Sequence, residues 1–267
     1  MSIDQNAAPA LIIACPLIAS FVLPLLGQWN RRLVLPVTLA ALASSSLGSL
    51  ASTYIVLTQG PMDYFWGGWE PPWGIAFRID HLATLMLLLL CTIALTIAIF
   101  SYRSILKERP DSYVLFYTVY LLLISGLLGI VTTADLFNLY VFLEITSIAS
   151  YALVSLGSGS AIVSAFRYVI LGTIGAAFYL LSVGYFYSVT GSLNMEDLAR
   201  ILPELYSSSA VRVGFAFLFV GMAIKMALFP MHSWLPGAYA TAPSGVSALI
   251  SATTSKVAAY ILLRISF

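Results

Sequence analysis

Glu144, Lys225, His232 and Lys256 are the residues of this chain whose types and positions could do chemistry. Each lies in or beside an apolar run long enough to cross a bilayer, where an ionised side chain costs about 3 kcal/mol or more unless it meets water, a partner or a protein interior. Glu144 stands about 13 Å along a helix from Asp135, at a rise of about 1.5 Å per residue, too deep for its short side chain to reach headgroups. Tyr140, Glu144, Ser147 and Tyr151 recur at helical spacing and make one polar stripe, which predicts a face turned toward other helices. A static ion pair that only fixes packing is the bland reading of Glu144; a place on an ion or proton path is the functional one.

The run "VGFAFLFVGMAIKMALFPMHSWLP" carries Lys225 about 20 Å from Arg212. Pro230 removes a backbone donor and Pro236 follows, so this helix is expected to break and resume, with His232 in the interruption. Broken helices persist at membrane depth where they line a cavity. Snorkelling to headgroups is the alternative for Lys225, and a hydrogen-bonding role at a helix end is the alternative for His232. Lys256 sits near the centre of the last apolar run, and "SATTS" supplies hydroxyls around it that can hold water or bond an ammonium. Making or breaking one ion pair between a buried lysine and a carboxylate captures or releases a proton. Glu144 is therefore expected to be the movable countercharge of a membrane lysine.

The elements that position these groups follow from composition. Of 267 residues, 60% are hydrophobic and 9% charged, which no polar surface could cover; the expected class is an all-α polytopic transmembrane helical bundle. A net charge of +1 offers nucleic acid nothing to hold. Cys15 and Cys91 lie in apolar runs without CxxC or Cys/His partners, so packing rather than a disulfide or metal site is expected. Counting apolar runs gives about eight spans, at 8–27, 33–57, 82–101, 113–133, 136–156, 161–189, 212–229 and 246–266, the seventh broken. The first follows an N-terminus whose only charge is Asp4, lacks the basic start of a cleaved signal peptide and is expected to remain as a helix.

"QWNRR" and "YRSILKERPD" hold five of the twelve basic residues, whereas the longer loops lean acidic. The positive-inside rule then puts the basic loops in the cytoplasm and both termini outside; Arg167 agrees and Arg264 disagrees. "GPMDYFWGGWEPPWGIAFRIDH" concentrates three of five Trp at the outer interface, and its "WGIAFRID" alternates like a hairpin strand. "GSLNMEDLARILPELYSSS" reads as an amphipathic surface helix. Asp135 is expected to cap a helix, Arg103 to Arg109 to form a solvated loop, and His81 to be structural.

The stretches "TADLFNLYVFLEITSIASYALVSLG", "YSVTGSLNMEDLA" and "IKMALFPMHSWLPGAYATAPSGVSALISATTSKVAAYILLR" resemble the antiporter-like membrane subunits of Mrp-type multisubunit cation/proton antiporters, complex I and membrane-bound hydrogenases, most of all the Mrp D-type. The resemblance implies an ion-pair carboxylate at Glu144 coupled to Lys225, with Lys256 as central relay and His232 between them. It implies a three-helix region at 1–112 with an outer loop and the first five-helix antiporter repeat at 113–267. A second repeat, present in such subunits, would come from a companion polypeptide or a longer gene. The expected function is thus a proton-translocating subunit of a Na+ or K+/proton antiporter in a prokaryotic inner membrane, a transporter rather than an enzyme, without cofactor, beside other membrane subunits. A proton-pumping subunit of a redox-driven complex, of NADH-quinone oxidoreductase or hydrogenase type, is the alternative; a non-transporting scaffold is the third.

Overall fold

The computed structural model describes residues 8–266; the expectation for the N-terminus around Asp4 lies outside them. Eight helices among the described residues are long and apolar enough to cross a membrane. In chain order the helices are α1 (Ala8–Trp29), α2 (Val34–Gln59), α3 (His81–Glu108), α4 (Tyr113–Thr132), α5 (Leu136–Ser155), α6 (Ala161–Thr190), α7 (Met195–Ile201), α8 (Ser209–Met226), α9 (Leu235–Thr241), α10 (Ser244–Ala252) and α11 (Thr254–Ser266). The fold is an all-α polytopic membrane bundle.

Helix α4 is buried over most of its length and packs against α1, α3, α5 and α11. Lipid tails are as apolar as leucine, so helices in a membrane associate through close packing and interhelical hydrogen bonds. Tyrosines supply many of those bonds: Tyr117 and Tyr120 on α4 donate to Ala98 O and Ala94 O on α3 at 2.7 and 2.6 Å. Tyr179 donates to Leu136 O at 3.0 Å, and Tyr260 to Val131 O at 2.9 Å. Each phenol spends its hydroxyl on a carbonyl of a neighbouring helix while its ring fills the core. Helices α6 and α8 approach closely at Gly175 and Gly221, where a Cβ on Gly221 would come 2.7 Å from Gly175 O.

One end of the bundle carries a hairpin of β1 (Met62–Phe65) and β2 (Ala76–Ile79), paired Met62 to Ile79 and Phe65 to Ala76. The strand expected in "WGIAFRID" is β2. The surface helix expected beyond Gly191 is α7, capped by Asn194, which accepts from Glu196 and Asp197 N–H. Arg78 on β2 reaches Glu196 on α7 at 2.7 Å and ties the two together. Arg264, whose position ran against the expected polarity, pairs with Asp80 at this hairpin end. Asp80 also caps α3 through the Ala83 N–H at 2.9 Å. Burial works against the Asp80 charge, yet that N–H and the Arg264 guanidinium hold its carboxyl below its ordinary value.

The structure corrects three boundaries. Helix α3 runs to Glu108, so Arg103, Lys107 and Glu108 occupy its last turns rather than a loop. Arg, Lys and Glu are good helix formers that continue a helix into water, and Pro110 ends it. Helix α8 stops at Met226, a few residues before the expected end at 229. The eighth span is interrupted as well, at Thr253 between α10 and α11, where the hydroxyl donates to Leu249 O at 2.7 Å. Hydroxyl bonds to the preceding turn bend helices, which is what "SATTS" provides.

Candidate ion-pair site at the helix break

Asp135 starts α5, its Oδ1 accepting the Asn138 N–H at 2.7 Å. Burial outweighs that bond and lifts the Asp135 carboxyl above the usual carboxylate range. The polar stripe on α5 faces the bundle as expected: Ser147 and Tyr151 are buried, Tyr140 and Glu144 half-buried. Ser147 uses its hydroxyl twice. It donates to Leu143 O at 2.6 Å and accepts from Lys225 Nζ at 2.6 Å. Glu144 lies one turn away on the same face. Its Oε1 is buried without a hydrogen-bond partner, and among the described residues no carboxylate stands within 4.0 Å of Lys225. The structure thus places Lys225 on Ser147, one turn from Glu144, with no ion pair between the two among the described residues.

The break in the seventh span is a built feature. Ala227 takes the left-handed conformation at φ 57° and ψ 43°. Its N–H bonds Ile224 O at 3.1 Å while Leu228 N–H bonds Ala223 O at 2.8 Å, the two bonds of a Schellman stop. Glycine is the usual residue there; alanine carries a conformational cost of about 1 kcal/mol or more. Trp234, in the returning segment, donates its indole N–H to Ile224 O at 3.0 Å. Its ring stacks on Tyr168 of α6 at 4.1 Å and 3°, and Tyr168 meets Tyr151 of α5 edge-on at 4.6 Å. This aromatic column locks α5, α6 and the break around Lys225. In the last turn of α8, Lys225 also sits where free carbonyls favour a cation.

A cavity of about 30 Å³ opens beside Lys225, lined by Ser147, Ser150, Tyr168 and Thr254 among others. That is room for about one water, with hydroxyls enough to bind it. The cavity runs toward α11, the helix that carries Lys256. Lys256 itself faces away: it is exposed, and its Nζ bonds Ser251 O at 2.5 Å, the carbonyl just before the Thr253 break. His232 lies in the interruption as expected, half-buried against Phe229 at 5.6 Å, with Nδ1 buried and unpartnered. No hydrogen bond among the described residues joins it to Lys225 or Lys256. Ser147 stood in the expected stripe without a role of its own. Tyr168 and Thr254 gave no periodic signal, and Trp234 was not singled out, although a tryptophan between Pro230 and Pro236 was a signal that could have found it.

The fold and site define a polytopic membrane bundle with a carboxylate and a lysine turned toward its interior beside a broken helix. Residues 133–267 match the transmembrane family described as NADH:quinone oxidoreductase/Mrp antiporter, and the chain belongs to that family. NADH-quinone oxidoreductase subunit N of Desulforudis audaxviator is 44% identical over 263 residues, covering 97% of this chain and 52% of that protein. The D-type subunit of a Na(+)/H(+) antiporter of Bacillus subtilis is 34% identical over 227 residues, covering 84% of this chain and 46% of that protein. A chain in the structure of the membrane-bound sulfane sulfur reductase, an archaeal respiratory membrane complex, superposes with a TM-score of 0.90 at 36% identity, covering 96% of this chain and 52% of that one. The chain spans about half the length of the curated relatives it matches.

Proposed function

We propose that this chain is a proton-translocating part of a multisubunit monovalent cation/proton antiporter, with residues 1–112 a three-helix region and 113–267 the first antiporter repeat. The observation that carries the reading is the Lys225 ammonium on Ser147, one turn from a buried Glu144 oxygen without a partner. Two acceptors for one lysine make a two-position device. On Glu144, the lysine keeps its proton; on Ser147, it faces the hydroxyl-lined cavity and can release the proton toward α11. Lys256 then serves as relay and His232 as a connecting group. The end bearing Arg31, Arg32, Arg103, Lys107 and Arg109 faces the cytoplasm in this reading, and partners are other membrane subunits.

A second reading, a pumping subunit of a redox-driven complex, is favoured by the relative named for NADH-quinone oxidoreductase and by the archaeal respiratory complex. Purification from native membranes through a tag on this chain separates the two. Companion small membrane subunits alone support the antiporter; co-purifying iron–sulfur or flavin subunits transfer the same chemistry to redox-driven pumping. A scaffold role requires Lys256→Ala to leave ion flux unchanged.

A further inference from the structure

At the end of the bundle opposite the hairpin, the turn joining α1 to α2, the last turns of α3 and the start of α4 enclose a groove of about 560 Å³. Arg31 and Arg32 line it on one side and Tyr102 and Tyr113 on the other, with Leu35 and Leu106 among its apolar walls. The two arginines are exposed, and among the described residues neither guanidinium has an acceptor, as for Arg103 and Arg167 and unlike Arg78, Arg109, Arg200, Arg212 and Arg264. The backbone that carries them is held: Asn30 caps the short 3₁₀ turn Arg31–Leu33 by accepting the Arg32 N–H at 3.0 Å. No carboxylate lines the groove; of the acids near it, Glu108 accepts from Ser104 at 2.7 Å and Asp111 is exposed in the turn Pro110–Ser112.

We propose that this groove binds one anionic phospholipid, its phosphate held by Arg31 and Arg32 and an acyl chain laid along Leu35 and Leu106. Guanidiniums match phosphate in charge and geometry, and the groove sits where helix ends meet the headgroup layer. Tyr102 packs edge-on to Tyr113 at 6.1 Å, an aromatic wall of the kind that settles at membrane interfaces. A lipid seated there joins the ends of α2, α3 and α4 without spending a protein contact.

The test is native mass spectrometry of the tagged complex in detergent, titrated with phosphatidylglycerol and, separately, phosphatidylcholine. One phosphatidylglycerol per chain is expected to bind roughly tenfold or more tightly than phosphatidylcholine. Arg31→Gln with Arg32→Gln should erase that preference, whereas Arg31→Lys with Arg32→Lys should keep most of it. Leu106→Trp, which fills the groove and leaves both guanidiniums, should also lose the lipid. The proposal is overturned if the wild type does not discriminate, if Leu106→Trp still retains the lipid, or if millimolar inorganic phosphate displaces it. In that last case the arginines hold a free anion.

Discussion

Lys225 and Lys256 stand beside two interruptions of membrane helices, yet one is turned inward and the other outward. Lys225 meets a side-chain hydroxyl, a carboxylate one turn off and a cavity, all within α4, α5, α6, α8 and α11. Lys256 meets a carbonyl of its own helix and is otherwise exposed. An ammonium at membrane depth needs more than one carbonyl. The contrast teaches that, among the described residues, Lys225 is engaged by a side chain of another helix, whereas Lys256 is engaged across the break beside it. Half the length of the relatives lies outside the match.

The largest expected effect comes from removing Lys225. Lys225→Ala should cut coupled transport by roughly 10²-fold or more and lower thermal stability in detergent, since it removes the ammonium's hydrogen bond to Ser147 and leaves a void between α5 and α8. Lys256→Ala should cut flux comparably in the assembled complex while changing the melting temperature of this chain little, because an exposed side chain carries little packing. Equal stability losses in the two variants would erase the contrast. Ser147→Ala should slow transport by roughly tenfold, the loss of one hydrogen bond to a charged group, and Ser147→Thr should restore most of it.

Smaller effects sharpen the frame around the site. Ala227→Gly relieves the left-handed conformation and should raise stability by about 0.5–1 kcal/mol, whereas Ala227→Val should lower it, both read from thermal unfolding. At the hairpin end, the folded Asp80 carboxyl binds its proton less readily than the ordinary carboxyl at 3.8, so its stabilising share is complete above that pH and is lost as pH falls through the folded value. Asp80→Asn should therefore remove part of the stability seen above about pH 5 and flatten the acid limb of the unfolding curve.

Local signals carried far in this sequence. The Asp135 cap, the strand in "WGIAFRID", the helix after Asn194 and the inward stripe of α5 each follow from spacing or turn chemistry within one segment. The break near Pro230 was legible because proline forbids the ladder, but its start at Ala227 was not, since alanine gives no warning of a left-handed stop. The interruption at Thr253 had a signal in the hydroxyls of "SATTS", but the expectation drawn from them is of groups around Lys256 rather than of a bend. Ser147 as holder of Lys225, and the column of Tyr151, Tyr168 and Trp234, unite residues far apart in the chain, so no window of sequence contains them. The outward turn of Lys256 escaped too: a count of residues gives depth along a helix, not which side of the bundle the helix shows.

The most direct test of the central claim is proton flux into liposomes containing the purified complex, wild type against Glu144→Gln, at matched protein incorporation. Flux in the Glu144→Gln complex is expected to fall by roughly 10²-fold while the complex assembles and melts nearly as wild type. Full flux in that variant would contradict the assignment of Glu144 and Lys225 as the working pair.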